Sequence, residues 1–95
     1  MGTNFDDYQT ALKLAENGQY QQALVNIQEH LGRVPDDAQA LNDAGAILYC
    51  LGKSDQAIEH FVKAKRLNGN SAEIIWNLAE AYISAGKANH AMQLL

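Results

Sequence analysis

Residues 52–54 read Gly-Lys-Ser, the types that close a nucleotide-binding P-loop, with a lysine for phosphate and a hydroxyl for Mg²⁺. The full motif needs a glycine five positions earlier, where this chain has Ile47, and a strand before it. Residues 41–52, LNDAGAILYCLG, instead place Leu41, Ala44, Leu48 and Leu51 at helical spacing. A lysine leaving a helix does not meet the geometry of a phosphate cradle. His30, His60 and His90 are evenly spaced by 30, but a metal site wants a close pair such as i, i+4, and the sequence has none. Cys50 has no histidine near it in sequence to act as its base. Asp6-Asp7 and Asp36-Asp37 could serve as acid/base pairs, yet each stands where a helix begins, where the dipole and capping favour carboxylates. No nucleophile, base and oxyanion donor assemble, so the sequence predicts neither catalysis, nor a metal, nor a cofactor.

Composition sets the same direction. The chain has 95 residues, enough for one small domain, with 47% hydrophobic and 19% charged residues. Its net charge of −4 argues against nucleic acid as a partner, since phosphate binding needs a concentration of Lys and Arg. The basic run Lys63-Ala64-Lys65-Arg66 ends a helical pattern, where cations complement the dipole. A single cysteine forms no internal disulfide, and the first twenty residues contain no apolar core of a signal peptide. A cytoplasmic setting is expected. No apolar run approaches the roughly 20 residues of a membrane span.

The positioning elements follow from a repeat. Gly18, Gly52 and Gly86 recur at intervals of 34, and so do Ala11, Gly45 and Ala79; Leu14, Leu48 and Tyr82; and Ala23, Ala57 and Ala91. Gly-Lys-Ser is one copy of a repeated turn. First helices are expected over 5–17, 38–51 and 72–85, each closed by a left-handed glycine. Second helices should start near Tyr20, Ser54 and Lys87, with Ser54 as an N-cap, and run to about Leu31, Leu67 and the chain end. The small residues at positions 11, 45, 79, 23 and 57 let paired helices approach closely, while Leu14, Leu48, Ile27 and Phe61 fill the space around them.

In this register the chain resembles the tetratricopeptide repeat family, whose signature is W-x₂-L-G-x₂-Y, then A-x₃-F, then P. The middle copy reads Leu41-x₂-Ala44-Gly45-x₂-Leu48, then Ala57-x₃-Phe61; the last reads Ile75-x₂-Leu78-Ala79-x₂-Tyr82, then Ala91-x₃-Leu95; the first keeps Ala11, Leu14, Gly18, Tyr20, Ala23, Ile27 and Pro35. The expected fold is all-α, a right-handed α-solenoid of stacked antiparallel helix pairs. Three units at about 4–37, 38–71 and 72–95 form one domain over 1–95.

Function should reside on the faces of the first helices that packing leaves free. If Leu41, Ala44, Gly45 and Leu48 meet the partner helix, the groove presents Phe5, Tyr8, Leu12 and Glu16 in the first unit. The second adds Gln39, Asn42, Ala46, Tyr49 and Cys50, and the third Glu73, Trp76, Glu80, Ile83 and Ser84. The family resemblance implies protein or peptide binding here. Its best-known mode, a clamp for a chaperone's C-terminal carboxylate, needs Lys and Asn at Tyr8 and Leu12, Asn at Asp43, and Lys and Arg at Glu73 and Asn77, and this chain departs at each. An acidic, aromatic groove should instead accept an apolar or basic segment.

The last unit stops within its second helix, with Ala91, Met92, Leu94 and Leu95 forming an apolar end of the kind a following unit covers. The chain therefore reads as a fragment of a longer protein, in which it could be the recognition arm of an enzyme. Taken alone, the end is expected to pair with a second copy as a homodimer.

Overall fold

The computed structural model describes residues 6–94, and its elements are all helical: α1 (Asp6–Glu16), α2 (Tyr20–Arg33), α3 (Ala38–Cys50), α4 (Ser54–Leu67), α5 (Ala72–Ser84) and α6 (Ala88–Leu94). Neighbours in sequence pack in space. The pairs α1/α2, α3/α4 and α5/α6 form the units, α2/α3 and α4/α5 join them, and α1, α3 and α5 also meet side by side. The result is an elongated stack of 47 × 25 × 17 Å, the solenoid that the 34-residue period predicts.

The repeated turn explains the Gly-Lys-Ser triplet. Gly18, Gly52 and Gly86 have φ of 78°, 79° and 78°. At the middle turn the Lys53 N–H donates to the Leu48 carbonyl at 2.9 Å and the Gly52 N–H to Tyr49 at 3.0 Å, the paired bonds of a Schellman cap. The other two turns repeat them: Gln19 bonds to Leu14 at 2.9 Å and Lys87 to Tyr82 at 2.7 Å. Lys53 thus contributes its backbone N–H to ending a helix.

Helix starts differ from expectation in one place. Ser54 is the first residue of α4, Lys53 precedes it without a side-chain cap, and the Ser54 hydroxyl instead meets Ser84 Oγ at 3.1 Å. Asp37 caps α3 by accepting from the Ala40 N–H at 3.1 Å, and Ser71 caps α5 through Ile74 at 3.2 Å. Asp7 lies within the first turn of α1 and pairs with Arg33 at 2.8 Å, tying the two ends of the first unit together.

Small residues set the helix spacing. Ala11, Ala23, Ala57, Ala79 and Ala91 are all buried. At Gly45 a Cβ would stand 2.6 Å from Cε1 of Phe61, a ring only 1% exposed, so the α3/α4 contact requires glycine. None of the described helices is long and apolar enough to cross a membrane.

Candidate binding groove

The surface formed by α1, α3 and α5 is where the sequence places a groove, and its three stripes differ in how far they are covered. On α5, Glu73, Trp76, Glu80 and Ile83 follow one another at three- and four-residue steps and all face solvent, Trp76 at 58% and Ile83 at 59% exposure. Ser84 is exposed beside them. On α3, Gln39, Tyr49 and Cys50 are exposed and Ala46 is half-buried. Of the first stripe, Glu16 is exposed, Tyr8 and Leu12 are half-buried, and Phe5 lies outside the described residues.

Asn42 corrects the expected list. It is 1% exposed, closed between α3 and α5, and no partner can reach it. Its Nδ2 donates to Glu73 Oε2 at 3.2 Å, and its Oδ1 accepts from Asn77 Nδ2 at 3.0 Å. A buried amide must be hydrogen-bonded, and this one is answered on both ends. Tyr8 occupies the same column one unit earlier. Its hydroxyl donates to Asp43 Oδ2, and its ring lies 4.9 Å from that of His30. Tyr8–Asp43 and Asn42–Asn77 share one spacing, so α1 and α3 each reach the first helix one unit on. A second seam joins the start of each of α2 and α4 to the end of the first helix one unit on: Ser54 meets Ser84, and Tyr20 and Cys50 line one recess, where the thiol raises the phenol's pKa. The sequence carried the signal in these paired polar columns, but neither hydropathy nor helical period reveals it.

The electrostatics follow from these contacts. Burial first, and then the bond to Asp43 and its charge, push the Tyr8 phenol up. Burial also lifts the Asp43 carboxyl above its ordinary range, against the bonds from Tyr8 and Gln39 that favour the charged form. Asp37 goes the other way: burial works to raise it, but the His30 ring at 2.9 Å and the Ala40 N–H hold it low. Charge on the α3 and α5 part of this face is one-sided, with Asp43, Glu73 and Glu80 and no Lys or Arg, whereas α1 adds both Glu16 and Lys13.

Between α1 and α3 the surface dips into an apolar recess of about 140 Å³ lined by Leu12, Ala15, Tyr20, Asp43, Ala46, Ile47 and Cys50. A larger hollow of about 320 Å³ lies between α2 and α4, where Glu59, His60 and Lys63 mix both signs of charge. The histidines are dispersed: His30 bonds Asp37, His60 Nδ1 donates to the Gln56 carbonyl at 3.0 Å, and His90 stacks on Tyr82.

The expected self-association end is also revised. Ala91 is 2% exposed in the small-residue column of its own helix pair, and Leu94 packs against the cluster around Phe61. Met92, at 72%, remains exposed, and Leu95 lies outside the described residues.

No family model and no curated protein sequence matches the chain. Among solved structures, a mutant of MamA superposes on it with a TM-score of 0.90 at 21% identity, covering 96% of this chain. This chain spans 66% of that one. Similarity at that level of identity establishes the fold, an all-α array of repeated helix pairs.

Proposed function

We propose that the chain is a non-catalytic scaffold that binds an apolar or basic segment of another protein along the α1/α3/α5 surface. One observation carries the reading: Trp76 and Ile83 stand exposed on a single stripe of α5, interleaved with Glu73 and Glu80. A large aromatic held on a rigid helix loses little entropy on contact, and such residues dominate binding energies. The acids select against anionic partners and favour lysine or arginine beside the apolar contact. A cytoplasmic setting accords with the exposed, unpaired Cys50. The test is a fluorescence titration of Trp76 with a lysine- and leucine-rich peptide against its glutamate-substituted counterpart. Saturable change with the first and none with the second supports the reading, and equal response to both overturns it.

Self-association is the second reading, favoured by the exposure of Met92 on the outer face of α6. Light scattering over a concentration series separates the two. A mass that doubles with concentration and reverts in Met92→Glu assigns the interface to α6, whereas a constant monomer mass removes it.

A further inference from the structure

The recess between α1 and α3 differs from the rest of the groove in being concave, apolar and closed at one side by Tyr20. Its volume of about 140 Å³ is well below the roughly 300–1,000 Å³ of sites for whole small molecules. It does match a cavity of about 150 Å³, which holds one benzene-sized group. The recess is not a generic product of the repeat. Moving the lining residues one unit along replaces Leu12 by Ala46, Ala15 by Tyr49, Tyr20 by Ser54, Asp43 by Asn77, Ala46 by Glu80, Ile47 by Ala81 and Cys50 by Ser84. The corresponding position between α3 and α5 thus presents Tyr49 and Glu80, both exposed, where the recess has Ala15 and Ala46, so the sequence departs from its own period there.

We propose that this recess is the specificity pocket of the groove, taking one aliphatic or aromatic side chain of a bound basic segment whose neighbouring lysine or arginine lies towards Asp43 and Glu73. The inference rests on the peptide-binding reading above. Charge complementarity argues for the occupant: Asp43 lines the recess itself, Glu16 stands exposed on α1, and α3 and α5 carry no cation to oppose a basic chain. Ala15 and Ala46 are the residues that leave the space open, and Leu12 and Ile47 supply its apolar walls.

The test uses acetylated, amidated lysine-rich peptides that differ only at one central position, Leu, Phe or Ala, titrated into the full chain by calorimetry. The leucine peptide should bind about tenfold more tightly than the alanine peptide, the lower end of what an apolar pocket discriminates. It should also slow alkylation of Cys50 by iodoacetamide. Ala46→Leu, which fills the recess from a half-buried position, should erase the leucine preference while leaving lysine-dependent binding in place. Leu12→Ala, which widens it, should shift the preference towards phenylalanine. Equal affinity for the leucine and alanine peptides in the wild type overturns the pocket and leaves the groove standing. Failure of every peptide to bind overturns both.

Discussion

Asn77 donates to Asn42 across 3.0 Å, and Tyr8 donates to Asp43 between the same two columns one unit earlier, so the repeats are joined laterally by a hydrogen bond that the 34-residue period itself generates. The two versions differ in chemistry. The first is a phenol on a carboxylate at a half-buried site, and the second an amide pair in which Asn42 is sealed from water and Asn77 is half-buried.

Breaking the sealed version should cost more than breaking the open one. Asn42→Ala leaves the Asn77 amide without its acceptor and removes a donor from Glu73, so unfolding in urea should show a loss of about 1–3 kcal/mol, typical of stranding a buried polar group. A double-mutant cycle of Asn42 and Asn77 should return a coupling of about 0.5–1.5 kcal/mol. Additive effects would mean that the amides do not hold the units together.

Gly45→Ala should destabilise by about 1–3 kcal/mol, because the added methyl lies 2.6 Å from the ring of Phe61 and the ring has no room to retreat. Combining it with Phe61→Leu should recover part of the loss. An unchanged melting curve for Gly45→Ala alone would show that α3 and α4 are free to separate.

The Gly52 turn makes a contrasting prediction, since nothing lies within 4 Å of a Cβ built there and only its φ of +79° matters. Gly52→Ala should cost about 1–2 kcal/mol, the steric penalty of a left-handed backbone, and Gly52→Asn less. Neither variant, nor the wild type, should shift in melting temperature with Mg²⁺-ATP, as a phosphate cradle would.

Asp37 and Asp43 should titrate stability with opposite signs. Asp37 is depressed in the fold, so its contribution is complete above the unfolded value of 3.8 and is lost as the pH falls through the folded pKa; Asp37→Asn should flatten that acid limb. Asp43 is raised, so its contribution is complete below 3.8 and is lost as the pH rises through the folded pKa. Asp43→Asn keeps an acceptor for Tyr8 and should melt above the wild type at neutral pH, with the gain shrinking as the pH is lowered. A gain that grows on acidification would contradict the assignment.

How much of this was legible in the sequence depends on what each position must satisfy. Glycines at 18, 52 and 86 and the small residues at 11, 45 and 79 obey local backbone and packing rules that recur in every unit, so their spacing alone located the turns and the buried faces. Asn42 was misplaced because helical periodicity assigns a face but not what covers it: the same column is half-buried at Tyr8, sealed at Asn42 and open at Trp76. Ser54 was misread because its hydroxyl has a competing partner, Ser84, from the next unit. The recess was not legible, since it arises from what Ala15 and Ala46 fail to fill, and absence of volume leaves no hydropathy pattern.

Whether the α5 stripe is a binding surface is decided by the affinity of a lysine- and leucine-rich peptide for wild type and Trp76→Ala, measured by calorimetry alongside their melting curves. Trp76 is 58% exposed, so its removal should leave the melting temperature within about a degree, consistent with the small effects of surface substitutions. The affinity should fall roughly tenfold or more, as it does when an aromatic anchor is truncated. Equal affinities for the two proteins, with both folded, would show that the α5 stripe is not the binding surface.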